Sequence, residues 1–216
     1  MTALTDYLVL DVFTDSPFGG NQLAVIPKAS ALPEQALQKI AREFNFSETV
    51  FLYPPKDAAH TARLRIFTPT MEIPFAGHPT VGAAVALAEM GHGPDMVLEL
   101  GVGPLAAHAS PREASFTTAV PLEVLAHPPV ALVARALGLP ETAITSHIHA
   151  PALASLGRPV TLTELARREA LAACVPETAA FREGAAEFQT ALDFAQFAYV
   201  RTGNTVHARM FAPLDN

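Results

Sequence analysis

The sequence is short of cysteine, of basic residues and of long apolar runs, and each shortage narrows the range of functions. Its single cysteine, Cys174, excludes an intrachain disulfide and a metal site built from several thiolates. The 14 Lys and Arg residues are outnumbered by 21 Asp and Glu residues, which gives a formal net charge of -7. Because binding to phosphates needs clustered basic residues, which this chain lacks, we expect no nucleic-acid partner.

The absence of long apolar runs bears on location. No run reaches the roughly 18 residues that a membrane-spanning helix needs, so we expect no membrane partner. Residues 1–6 lack the basic and apolar regions of a secretory signal, which predicts a cytoplasmic protein. His147 and His149 have alternate spacing, but no third ligand is near them in sequence, so we expect no bound metal.

The most informative segment that is present is an almost wholly apolar helix, predicted over residues 78–90. Residues 81–88 are Val, Gly, Ala, Ala, Val, Ala, Leu and Ala, and no charge occurs before Glu89. A helix that is apolar all round is buried all round, and its small residues predict close neighbours on every side. Pro79 is typical of a first helical turn.

The start of this helix is a candidate binding site. Free N–H groups around Gly77, His78 and Thr80, together with the positive end of the helix dipole, would attract a carboxylate or a phosphate. His78 could also donate a hydrogen bond to a bound carboxylate or relay a proton. The alternative is an ordinary core helix, with His78 as the polar residue at its start.

Glu48 is the strongest candidate for a catalytic residue. It stands between an amphipathic helix that starts at Pro33 and a strand predicted over residues 49–53. Its aromatic and β-branched neighbours would remove the carboxylate partly from water, which suits a group that transfers protons. The commoner alternative is a solvated loop glutamate. Asn21, which follows two glycines, could orient a ligand, although an asparagine in a turn is the commoner case.

Single helices alternate with groups of strands along the chain, which favours an α+β fold. A faint repeat suggests two halves, because residues 65–69 (RIFTP) have a counterpart in residues 209–213 (RMFAP). Later in the chain, Thr163 is a candidate cap for a helix that would end near Ala173.

Four motifs follow one another in the first half: residues 20–25 (GNQLAV), 46–51 (FSETVF), 65–69 (RIFTP) and 72–82 (EIPFAGHPTVG). Their order and spacing resemble the PhzF-like family, the phenazine-biosynthesis isomerases related to diaminopimelate epimerase. The resemblance implies two pseudo-repeated halves, each a curled, mainly antiparallel sheet around a central helix. It divides the chain into residues 1–122, with the central helix 78–90, and an incomplete second half over residues 123–216.

The resemblance also implies an active site in the cleft between the halves and isomerisation by proton transfer without a cofactor. Glu48 matches the general acid/base of the family, Gly77 and His78 match ligand-contacting positions, and Asn21 matches an asparagine of the cleft. The substrate would be a small carboxylate-bearing metabolite. The related epimerases work with a pair of cysteines, which a chain with only Cys174 excludes.

Family members continue beyond the second Arg-x-Phe-x-Pro segment into an Asp-Pro-x-Thr-Gly-Ser stretch that begins the second central helix. Because this sequence stops at Asn216, we expect a truncated chain whose second half lacks its central helix. An exposed sheet interior would then favour a homodimer. The alternative to an enzyme is a catalytically inactive or truncated small-molecule-binding protein of the same fold.

Overall fold

The chain divides into two units, Met1–Ala119 and Val120–Asn216. The structure is a computed structural model that describes residues 5–118, 120–156, 159–190 and 193–214. The halves predicted from the sequence, residues 1–122 and 123–216, stay a prediction. Among the described residues, no helix is both long and apolar enough to cross a bilayer.

The first unit contains a sheet of eight strands. The strands are β1 (Leu8–Val12), β2 (Asn21–Ile26), β3 (Glu48–Tyr53), β4 (Ala62–Phe67), β5 (Glu72–Ile73), β6 (Asp95–Leu100), β7 (Gly103–Ser110) and β8 (Glu113–Thr117). Their order is β1-β2-β3-β4-β6-β7-β8, and β5 pairs with β4. All pairs are antiparallel except β2 with β3 and β4 with β6.

Helix α2 (Gly77–Glu89) is the centre of this unit. It contacts β1, β2 and β3 at one end of the sheet and β7 and β8 at the other, so the sheet curls around it. The buried residues of this helix are mostly small: Pro79, Thr80, Gly82, Ala83, Ala84, Ala86 and Leu87. The predicted α+β fold with a curled sheet around a buried helix is confirmed.

Helix α1 (Glu34–Phe44) covers the opposite face of the sheet. Its buried residues Leu37 and Ala41 pack against Phe51 of β3. Since side chains alternate along a strand, Phe51 on this outer face requires Glu48 to point inward, toward α2. Asn45 ends α1 in the left-handed conformation at φ 53°.

In the described part of the second unit, five strands form one sheet and three α-helices accompany it. The elements are β9 (Glu123–Ala126), α3 (Val130–Leu137), β10 (Ala152–Ser155), β11 (Pro159–Glu164), α4 (Arg168–Ala173), α5 (Thr178–Phe188), β12 (Gln196–Thr202) and β13 (Thr205–Phe211). The strand order is β13-β12-β11-β10-β9, and among these described strands β11 and β12 pair in parallel while the other neighbours are antiparallel. Buried apolar residues of the three helices pack on this sheet.

The faint sequence repeat has a structural counterpart. In the first unit, β1 and β2 are antiparallel, β3 follows a helix and is parallel to β2, and β4 is antiparallel to β3. In the second unit, β10, β11, β12 and β13 repeat this order of pairings. In β4 of the first unit, the guanidinium of Arg65 lies 5.2 Å from the ring centre of Phe67. In β13, that of Arg209 lies 4.7 Å from the ring centre of Phe211. The same local contact therefore recurs at the same place in both chain paths.

The helix predicted to start at Thr163 ends at Ala173 as predicted, but its predicted start is wrong. Thr163 is a fully buried residue of β11, and the helix begins only at Arg168. The β-branched residues Val160, Thr161 and Thr163 suit a strand between two neighbours, and this preference outweighs the capping signal of the threonine.

Candidate active site

A buried pair of side chains, Glu48 and His78, lies at the start of α2. Oε2 of Glu48 is 2.8 Å from Nδ1 of His78, and each side chain is only 9% exposed. Glu48 is the first residue of β3 and His78 the second residue of α2. The glutamate is therefore not a solvated loop residue, and the structure brings together two residues that the sequence predicts separately.

The hydrogen bonds of His78 define the number of protons in this pair. Nε2 of His78 lies 3.0 Å from the backbone oxygen of Asn21, and because a carbonyl oxygen can only accept, Nε2 carries a hydrogen. The contact between Nδ1 and Glu48 then needs one further proton. It sits either on the carboxyl group or on the imidazole ring. A carboxyl group and an imidazole at this distance can share a proton, which suits a site that transfers protons.

The first turn of α2 leaves backbone donors without a capping side chain. The helix is capped by Ala76, which has no side-chain hydrogen bond, and its first turn contains no acidic residue. Pro79 has no N–H group. The N–H and the hydroxyl of Thr80 both donate to the Ala76 carbonyl, at 3.3 Å and 2.7 Å. Within the part of the chain that the structure describes, the N–H groups of Gly77 and His78 make no such bond and can donate to an anion.

Thr80 and Asn21 have partners of their own. Thr80 is fully buried, and its hydroxyl is engaged within the helix. Oδ1 of Asn21 accepts a hydrogen bond of 3.1 Å from the Ser47 hydroxyl. Their predicted roles, with that of Gly77, stay predictions. Sequence reasoning missed Ser47, although its place between Phe46 and Glu48 in the motif was visible.

Other acidic side chains of the first unit, and the single cysteine, have structural roles. Asp11 accepts the backbone N–H of Phe18 at 2.7 Å, and Glu72 forms an ion pair with Arg65 at 2.6 Å. Cys174 is 3% exposed, and burial raises the pKa of its thiol. In the described ranges, no three His, Cys, Asp or Glu side chains are close enough together to hold a metal ion.

A groove of about 980 Å³ lies elsewhere in the first unit and does not include Glu48 or His78. Among its lining residues, Glu99 accepts hydrogen bonds of 2.9 Å from the backbone N–H groups of Asp57 and Lys56, and from His60. These donors, the backbone ones first, lower the pKa of Glu99 to about 2. The groove is lined by a structural carboxylate rather than by the buried pair.

Replacing Glu99 should therefore make the free energy of unfolding depend less on pH in the acid range. Since the pKa of Glu99 is lower in the folded state, its contribution is fully present above pH 4.5 and is lost as the pH falls toward 2. We expect Glu99→Gln to be less stable than wild type at pH 6, with the difference shrinking below pH 4.5. Urea unfolding across this range measures it, with exposed Glu43→Gln as control. A constant difference at all pH values would contradict this expectation.

Comparison with known proteins gives a consistent result. The family model described as phenazine biosynthesis-like protein matches residues 10–216. An uncharacterized isomerase of Mesorhizobium japonicum is 39% identical over 223 residues, which cover 96% of this chain and 73% of that protein. A trans-2,3-dihydro-3-hydroxyanthranilate isomerase of Pseudomonas fluorescens is 42% identical over 101 residues, 47% of this chain and 36% of that protein. The predicted truncation is not borne out by these matches.

Solved structures agree in fold. A phenazine biosynthesis protein of Bacillus anthracis superposes with a TM-score of 0.79 at 23% identity, covering 96% of this chain and 72% of that one. A probable proline racemase of Agrobacterium radiobacter has a TM-score of 0.54 at 13% identity, over 90% of this chain and 68% of the other. At these identities the likeness concerns the fold alone.

Proposed function

Because the chain belongs to the PhzC-PhzF family of phenazine biosynthesis-like proteins, and is an isomerase of that family, we propose that it moves a proton between two carbons of a small carboxylate-bearing metabolite. The observation that carries this proposal is the buried hydrogen bond of 2.8 Å between Glu48 and His78 at the start of α2. Buried proton-sharing pairs are typical of sites for general acid/base catalysis.

Glu48 is the group that moves the proton. Its carboxylate takes a hydrogen from carbon, and the electrons of the broken C–H bond enter the neighbouring conjugated system. The carboxyl group then returns the proton to another carbon of that system, whose electrons form the new bond. Charge and electron count are unchanged, so the reaction consumes no oxidant or reductant. His78 keeps the carboxylate oriented through the 2.8 Å hydrogen bond.

The start of α2 binds the substrate. The N–H groups of Gly77 and His78 and the positive end of the helix dipole hold its carboxylate. The same donors stabilise the negative charge that develops as the proton leaves carbon. The backbone carbonyl of Asn21 accepts a hydrogen bond from Nε2 of His78 and so sets the orientation of the imidazole ring. Thr80 holds the first turn of the helix through its bond to Ala76.

The compound named in a relative provides the first test. With trans-2,3-dihydro-3-hydroxyanthranilate, the protein should form a product of unchanged mass with a shifted double bond, followed by absorbance and NMR. Substrate deuterated at the carbon that loses hydrogen should react more slowly, since breaking that bond is part of the reaction. Binding of this compound and of related cyclic carboxylates without any conversion would favour the non-catalytic binding protein instead.

Two further statements remain proposals. The homodimer is supported by exposed apolar side chains on the second unit's sheet, among them Val124, Val206 and Met210, which are 49–53% exposed. The cytoplasmic location rests on the sequence alone. Sedimentation of the purified protein measures whether it is a homodimer. Neither the oligomeric state nor the location affects the proton-transfer chemistry.

A further inference from the structure

The loop between β1 and β2 presents two large aromatic side chains to solvent. Phe13 is 72% exposed and Phe18 is 94% exposed. A single exposed apolar residue is ordinary, but phenylalanine is among the residues most often found inside proteins. Two exposed phenylalanines in one loop therefore require an explanation.

Both residues have a strained backbone. Phe13 and Phe18 each have φ of 64°, in the left-handed region that favours glycine. Bulky residues rarely adopt this conformation, and where they do, the strain is commonly associated with function. Glycine at either position would relieve the strain. The strained conformation is therefore retained for the sake of the aromatic side chains.

The positive φ at Phe13 turns its ring toward the active-site pair. Val12 faces α2, because its side chain lies where a Cβ on Gly82 would be. Alternation along β1 would therefore direct Phe13 to the opposite face of the sheet. Instead its ring centre lies 6.0 Å from that of His78, at an interplanar angle of 51°.

The loop is fixed at both ends rather than loose. The backbone N–H of Phe18 donates to Asp11 at 2.7 Å. A Cβ on Gly20 would lie 2.5 Å from the carbonyl oxygen of Val12, so only glycine permits this approach of the two backbones. Thr14 and Ser16 add two further hydrogen bonds of 3.1 Å within the loop. The backbone that carries Phe13 is thus held in position before any ligand binds.

We propose that Phe13 is a specificity-determining residue, which stacks on the ring of the substrate and so selects carboxylates that carry a planar ring over aliphatic ones. This inference rests on the proposed function, because the carboxylate subsite at Gly77 and His78 sets where the ring would lie. An exposed aromatic face beside a partly buried imidazole suits offset or edge-on contact with a flat conjugated ring. An aliphatic chain would gain less from it.

The test measures binding without turnover. Benzoate and butanoate are titrated into the protein, and the His78 ring resonance, assigned with His78→Gln, reports on this site by NMR. Benzoate should bind about tenfold more tightly than butanoate. Phe13→Ala should remove this preference, and Phe13→Tyr should retain it. Phe18→Ala is the matched control, since it removes an exposed aromatic ring at the same φ from the same loop, and it should leave the preference intact.

Each other result overturns the proposal. Equal affinities for the two carboxylates, or a preference that survives Phe13→Ala, would exclude stacking on Phe13 while leaving the proton-transfer function standing. A lack of any His78 shift with either compound would contradict the carboxylate subsite and this inference together. Loss of a dimer in Phe13→Ala, with carboxylate binding unchanged, would mean that the ring contacts a second copy of the chain.

Discussion

Glu48→Gln is expected to lower the rate constant of isomerisation by roughly 10²–10⁴-fold, the usual contribution of a general acid/base. Glutamine has nearly the same shape as glutamate, and its side-chain N–H can donate to Nδ1 of His78, so the hydrogen bond of 2.8 Å can be kept. The amide, however, cannot take a proton from carbon. Substrate binding should therefore stay close to that of wild type.

Steady-state kinetics and calorimetry together separate these two effects. A loss confined to kcat, with unchanged binding, identifies an interaction made only in the reaction itself. The control is Glu89→Gln, which changes an exposed glutamate at the other end of α2 and should have full activity. If Glu48→Gln kept wild-type turnover, Glu48 would not be the group that moves the proton.

Gly82→Ala is expected to destabilise the protein by about 1–3 kcal/mol, the usual cost of overpacking a core. The new methyl group would meet the side chains of Leu23 and Val12, which are 0% and 6% exposed and have little room to move. On an exposed helix the same change stabilises by about 0.5–1 kcal/mol, because glycine is a poor helix former. The sign of the change in the free energy of unfolding therefore shows how closely the sheet approaches α2.

Urea unfolding gives this sign directly. The control is Gly93→Ala, at an exposed glycine whose added Cβ would have no heavy atom within 4 Å. Its effect should stay within about 0.5 kcal/mol. A Gly82→Ala protein as stable as wild type would show that α2 is less tightly enclosed than the structure has it. Because α2 also carries His78, a shift of the helix should lower activity as well.

Local sequence patterns were sufficient for the elements that surround the site. The apolar run after Pro79 predicts a buried helix over residues 78–90, and the structure has it at Gly77–Glu89. The start of α1 follows Pro33, as predicted, because proline suits the beginning of a helix. Periodicity and end signals act within a few residues of chain, which is why reading the sequence finds them.

The helix at Thr163 shows where this approach fails. Its threonine and the following apolar residues have the pattern of a helix start, yet Thr163 pairs within a parallel strand. Whether such a short segment becomes strand or helix depends on whether a neighbouring strand is available. That neighbour, β12, lies more than thirty residues further along the chain.

The contacts that make the site are of the same non-local kind. Glu48 and His78 are 30 residues apart, and Phe13 and His78 are further apart still, so no helix or strand periodicity relates them. The sequence by itself identifies a carboxylate, an imidazole and the start of a helix. Their meeting depends on the parallel register of β2 with β3 and on the curl of the sheet around α2. Register and curl arise from the packing of the whole unit, which local sequence patterns do not describe.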